Sequence, residues 1–96
     1  MRILVVNANT SDIVTEKVAA QARARASAGT EIVAVTGTFG ARVIGSRAEQ
    51  AIGEHSTLAL VSQHAAGCDA VVIAVSYGTG LRAARELLPI PVVGMT

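Results

Sequence analysis

The sequence predicts an α/β fold: an open, doubly wound, four-stranded parallel sheet in the order 2-1-3-4, with helices on both faces. Three observations lead there. First, the short runs Arg2–Val6, Glu31–Val35, Ala70–Val75 and Pro91–Gly94 are rich in β-branched residues and do not alternate with polar ones. Strands buried on both faces read this way, because helices cover each side of a parallel sheet. Second, longer segments of helical period separate these runs, giving the order β-α-β-α-β-α-β. Third, right-handed crossovers then set the first and third strands side by side at the centre.

The elements follow in order. The first strand run stops at Asn7. A helix is expected over Ser11–Ala26, with Val14, Val18, Ala22 and Ala26 on its inner face and Glu16, Lys17, Arg23 and Arg25 mostly outside it. Asn9, Thr10 and Ser11 are candidate N-caps, Asp12 suits the positive end of the helix dipole, and Gly29 marks the exit. The second helical region begins at Ser46, which forms a capping box with Glu49. Gly53 and Ser56 are expected to divide it, and Gly67 to end it. A third helix is expected over Thr79–Leu88 with Leu81, Ala84, Leu87 and Leu88 inward; Pro89 and Pro91 forbid its continuation. Thr36–Gly45 is the one long loop.

Composition narrows the function classes. The 96 residues leave room for one domain, an α/β lobe spanning 1–96. Such a short chain hides only about 60–65% of its unfolded surface, so it is expected to lean on a partner. Phe39 and Tyr77 are the only aromatics, so the core is built from Val, Ile, Leu and Ala. Net charge is +1 and the arginines are scattered, without the basic stripe that a nucleic-acid surface needs. The longest apolar runs fall well short of the roughly 18 residues of a membrane span. Met1-Arg2 leads into a run too short for a signal-peptide core, and the lone Cys68 suits a reducing compartment, so a cytoplasmic location is expected.

In doubly wound sheets, ligands sit beyond the carboxyl ends of the strands, where the strand order reverses. This rule selects two loops, Asn7-Ala8-Asn9-Thr10-Ser11 and Ser76-Tyr77-Gly78-Thr79-Gly80. Both lead from a buried strand into a helix N-terminus, whose free N–H groups favour a carboxylate, enolate or phosphate. Ordinary caps and turns are the alternative reading of the same residues. The stretch Gly78-Thr79-Gly80-Leu81-Arg82-Ala83 fits the dinucleotide pattern G-x-G-x-x-A, but it follows the third strand rather than the first. The acidic residue about 20 positions on would also lie past Thr96. His55 and His64 have no Cys, Asp or Glu cluster at ligand spacing, so no metal is expected. Cys68 precedes the third strand, at the end away from the ligand edge, and reads as a buried small hydrophobe.

These residues carry a resemblance. Ile3-Leu4-Val5-Val6-Asn7-Ala8-Asn9-Thr10 resembles the first strand and Asn-Pro-Asn-Thr/Ser loop of hydantoin racemases. Gly67-Cys68-Asp69-Ala70-Val71-Val72-Ile73-Ala74 resembles their third strand. Gly80-Leu81, Ala83–Leu88 and Ile90-Pro91-Val92-Val93-Gly94 continue the match. The similarity is weakest across residues 36–64. It implies the aspartate/glutamate/hydantoin racemase superfamily: two α/β lobes, no cofactor, and one cysteine per lobe facing each other across a small carboxylate or hydantoin-like substrate. One thiolate removes the proton beside a carbonyl, and the other thiol delivers one to the opposite face. A decarboxylating branch keeps only the second-lobe cysteine.

Two departures qualify what the resemblance implies. The first-lobe cysteine should follow Ile73-Ala74, where this chain has Val75. The match also ends at Gly94-Met95-Thr96, where family members cross into a second lobe. The chain is therefore expected to be the first lobe of a racemase-like isomerase, inactive alone, and to form a homo-oligomer or pair with a second lobe. The alternatives are a non-catalytic anion-binding or interaction lobe, and a decarboxylase-like member. Asn7, Asn9, Thr10, Ser76 and Tyr77 are the expected substrate-binding residues, with no catalytic residue at position 75.

Overall fold

A computed structural model describes residues 1–95. The elements are β1 (Arg2–Asn7), α1 (Asp12–Arg25), β2 (Glu31–Thr36), α2 (Arg47–His64), β3 (Ala70–Ile73), α3 (Leu81–Leu87) and β4 (Val92–Gly94). A single 3₁₀ turn, Ser76–Gly78, lies between β3 and α3. All four strands are parallel, in the spatial order β2-β1-β3-β4, as the sequence predicts. In register, Val6 of β1 lies between Val35 of β2 and Ile73 of β3.

The pleat sends alternate residues to opposite faces. Leu4, Val6, Val71 and Ile73 join Leu60 and Val61 of α2 and Ala84 of α3 in the larger core cluster. Val5, Ile32 and Ala74 face the other way, with Val18 and Ala22 of α1 against them. Leu4, Val6 and Ile73 are fully enclosed, and burying side chains of this size is worth about 1.5–3 kcal/mol each. Two helices therefore cover one face and one helix the other. α1 lies over β1 and β2 and leaves a groove beside Val72 of β3.

Several expectations about the helices need correction. α2 is continuous through Gly53 and Ser56. A Cβ at Gly53 would come within 2.9 Å of Ile44 Cδ1, so this glycine makes room for the loop that crosses the helix. The buried Ser56 donates to the Ala8 carbonyl at 2.8 Å and so ties α2 to the end of β1. The inner line of α1 runs through Thr15 and Ala19, while Val14 is 37% exposed. α3 starts later than expected, because Gly80 takes a left-handed conformation (φ 79°) and holds Thr79 outside the helix. Leu87, expected inward, is 54% exposed on its last turn. The helix N-caps behave as read: the Ser11 hydroxyl accepts from the Val14 N–H at 3.4 Å, and the Ser46 hydroxyl from the Glu49 N–H at 3.1 Å.

Candidate functional site

β1 and β3 are adjacent and parallel, so the loops that follow them emerge at the same end of the sheet. There they border a cleft of about 330 Å³. Asn9 comes from the first loop and Ser76 from the second, and Ala74 and Val75 at the end of β3 line the cleft between them. Val14 and Val18 of α1 form one apolar side. The third contribution comes from the long β2–α2 loop, which brings Arg42, Val43 and Ile44 across the strand ends.

The first loop is built by side-chain hydrogen bonds. Asn7 is fully buried. Its Nδ2 lies 2.8 Å from Asn9 Oδ1, 3.1 Å from the Ser11 carbonyl and 2.9 Å from Thr15 Oγ1. Asn9 Oδ1 also accepts from the Ser11 N–H at 2.9 Å, an Asx turn that brings the chain into α1. Asn7 thus organises the loop from beneath, and its own Oδ1 is left without a partner among the described residues. With Asn9 Oδ1 doubly occupied, the Nδ2 hydrogens of Asn9 are the part of this side chain left for a ligand.

The long loop is strapped down at several points. The Gly37 N–H donates to the Asn7 carbonyl at 2.8 Å and the Asn9 carbonyl at 3.0 Å. The Thr10 N–H donates to the Ala41 carbonyl at 3.2 Å, one residue from Arg42. The Phe39 ring meets the His55 ring edge-on, with centroids 5.1 Å apart. At the far end, the Gly45 N–H donates to Glu49 Oε1 at 3.0 Å. That N–H, followed by the Ser46 hydroxyl and the Ser46 N–H, holds the Glu49 carboxyl below its usual pKa. Ile44 closes the strap by packing into the space above Gly53.

The five residues expected at the site fall into three positions. Asn9 and Ser76 line the cleft. Asn7 and Thr10 lie behind it and hold the first loop to the strap. Tyr77 is 74% exposed on the 3₁₀ turn, outside the cleft lining, with a left-handed backbone (φ 65°). Reading the sequence missed Arg42. It stood among scattered arginines in the least family-like stretch, and only the fold of the strap shows where it goes. The glycine pattern after β3 also has a packing cause. A Cβ on Gly80 would meet Thr57 of α2 at 2.9 Å, and that threonine donates to the Thr79 carbonyl at 3.1 Å. Cys68 is buried at the opposite end of β3, with its Sγ 3.5 Å from the His64 carbonyl. Among the described residues, no group of three His, Cys, Asp or Glu side chains could hold a metal ion, and no helix is long and apolar enough to cross a membrane.

The parallel 2-1-3-4 sheet, with its cleft where the strand order reverses, defines an open α/β lobe of the doubly wound kind. Residues 3–96 match the Asp/Glu/Hydantoin racemase family, and the chain belongs to that family. A hydantoin racemase from Paenarthrobacter aurescens is 37% identical over 97 residues, covering 99% of this chain and 41% of the relative. The allantoin racemase structure from Klebsiella pneumoniae superposes with a TM-score of 0.92 at 42% identity, over 98% of this chain and 39% of that one. Allantoin racemase from Pseudomonas fluorescens gives 0.91 at 44% identity, over 98% and 40%. The chain thus spans about two-fifths of the length of these relatives.

Proposed function

We propose that this chain is the substrate-holding first lobe of a racemase-like isomerase that acts at a carbon beside a carbonyl or carboxylate. The observation that carries the reading is the meeting of Asn9 and Ser76, from the two strand-end loops, in one cleft floored by Val75. The Asn9 amide and the Ser76 hydroxyl supply hydrogen-bond donors where a carbonyl oxygen gains charge as its neighbouring carbon loses a proton. Donors fixed in that way are worth about 3–4 kcal/mol each in other enzymes. The relatives, a hydantoin racemase and allantoin racemases, point to small ring compounds bearing such carbonyls.

Val75 gives this lobe an apolar wall where a proton-transferring side chain would be needed. Racemisation by two bases requires one on each face of the carbon. The lobe therefore orients the substrate and stabilises its enolate, and proton transfer falls to groups outside residues 1–96. Val75 also favours a second reading, a decarboxylase-like or purely binding member, in which one face needs no base. The partners are a small substrate and either a second lobe or a second copy of the chain.

The test is a titration of the isotope-labelled chain with 5-isopropylhydantoin, followed through backbone amides. Shifts centred on Asn9, Val75 and Ser76, weakened by Asn9→Ala, are expected. Deuterium exchange at C5 should not rise above the buffer rate. Exchange catalysed by the unaltered chain would reveal another pair of bases. Shifts centred away from the cleft would remove the reading.

A further inference from the structure

Building on the cleft reading above, we infer that Arg42 makes this site selective for an anionic ligand: a small carboxylate with a branched apolar substituent. Arg42 is, among the described residues, the one charged side chain in the cleft lining. Among the described residues it has neither an ion pair nor a hydrogen bond. Its place on the strap is nonetheless fixed from both sides, by the Thr10 N–H on the Ala41 carbonyl and by Ile44 seated over Gly53. The backbone that carries the guanidinium is therefore held at the strand ends before any ligand arrives.

The other polar groups agree with this assignment. Asn9 has its Oδ1 committed to Asn7 and Ser11, so it offers N–H donors. Ser76 adds a hydroxyl, and among the described residues no carboxylate lines the cleft. A site with several donors, one positive charge and no acid recognises oxygen acceptors with negative charge. A guanidinium is suited to this, because its planar fork can grip both oxygens of a carboxylate. The remaining wall is aliphatic, formed by Val14, Val18, Ala74 and Val75, and takes a branched hydrocarbon group in preference to a second charge. An uncharged hydantoin ring would use Asn9 and Ser76 but leave the guanidinium without a matched partner.

The experiment compares isovalerate with its neutral isostere isovaleramide, and hydantoin-5-acetate with 5-isopropylhydantoin, on the 96-residue chain and its variants by amide-shift titration. A charge-assisted hydrogen bond corresponds to about tenfold or more in affinity. Each anion should bind at least about tenfold tighter than its neutral counterpart, and added salt should narrow the gap. Arg42→Gln should abolish the preference, Arg42→Lys should keep part of it, and Arg82→Gln on α3 should leave it intact. Equal binding of the two members of a pair, or a preference that survives Arg42→Gln, overturns the assignment. If 5-isopropylhydantoin binds at Asn9 and Ser76 without charge preference, the lobe's proposed function stands and the role of Arg42 falls. If isovalerate binds through Arg42 while neither ring compound does, the carboxylate site stands and the ring-binding reading falls. Failure of all four probes to shift cleft amides removes both.

Discussion

Gly37 shows how much the site depends on single residues. A Cβ there would sit 2.3 Å from the Ala8 carbonyl oxygen and 2.8 Å from that of Asn9, both fixed backbone atoms. Neither can move without tearing the first loop from the strap. Gly37→Ala should therefore destabilise the chain by about 1–3 kcal/mol, the usual range for overpacking. The midpoint of urea unfolding should fall with little change in slope. Retained stability would mean that the loop and strap yield more easily than their hydrogen bonds suggest. Position 75 permits a chemical probe. In Val75→Cys, the new thiol would share the cleft with Arg42 and Ser76. Nearby positive charge favours the thiolate, so this cysteine should react with iodoacetamide faster than the buried Cys68. Slower labelling at 75 than at 68 would show that the cleft is not electropositive.

At the scale of elements, α2 acts as the anchor of the strap as well as a core helix. Its first turn pairs the Ser46 hydroxyl with the Glu49 N–H, and the Glu49 carboxylate reaches back to the Gly45 N–H. Ser46→Ala should cost about 1 kcal/mol, a typical N-cap loss. The cap also carries a pH dependence whose sign follows from the Glu49 shift. The carboxyl pKa is lowered in the folded chain, so the ionised form is the one that stabilises. Its contribution is present above the ordinary carboxylate pKa and is lost as pH falls through the lowered value. The Gly45 amide resonance should titrate with that lowered pKa, and Glu49→Gln should remove the titration. A Gly45 amide indifferent to acid would mean that the reach-back bond is absent in solution. Loosening of the strap at acid pH should also weaken any ligand that depends on Arg42.

Across the whole molecule, the two faces of the sheet are unequally covered. α2 and α3 cover one side, while α1 alone lies on the other and leaves Val72 beside an open groove. Val93, paired with Val72, is 48% exposed, and Met95 in the groove lining is 60% exposed. Apolar surface left open beside a groove on a small domain marks a contact with another body. The net charge of +1 offers little repulsion against a second copy. Sedimentation should therefore show self-association of the isolated chain at rising concentration, reduced by Val93→Glu. A monomer throughout would indicate that the groove tolerates water.

The sequence by itself determined the four parallel strands, their order and the two strand-end loops, because uninterrupted runs such as Leu4–Val6 and Val71–Ile73 are stable only when covered on both faces. It also determined the Ser11 and Ser46 caps, whose chemistry is local. Contacts between residues far apart in the chain decided the rest. Gly53 reads as a helix break until Ile44 is found above it. Gly80 fits a dinucleotide-pattern glycine until Thr57 is found against it. Asn7 reads as a ligand-binding side chain, yet its Nδ2 lies against Asn9, Ser11 and Thr15 in the interior. Arg42 carries no signal in its neighbours along the chain, and its place at the strand ends follows from a strap held at Asn7, Asn9 and Thr10 on one side and Gly53 on the other. Periodicity and capping act between neighbours in sequence, whereas the cleft is assembled by close approach of backbones that only the folded chain brings together.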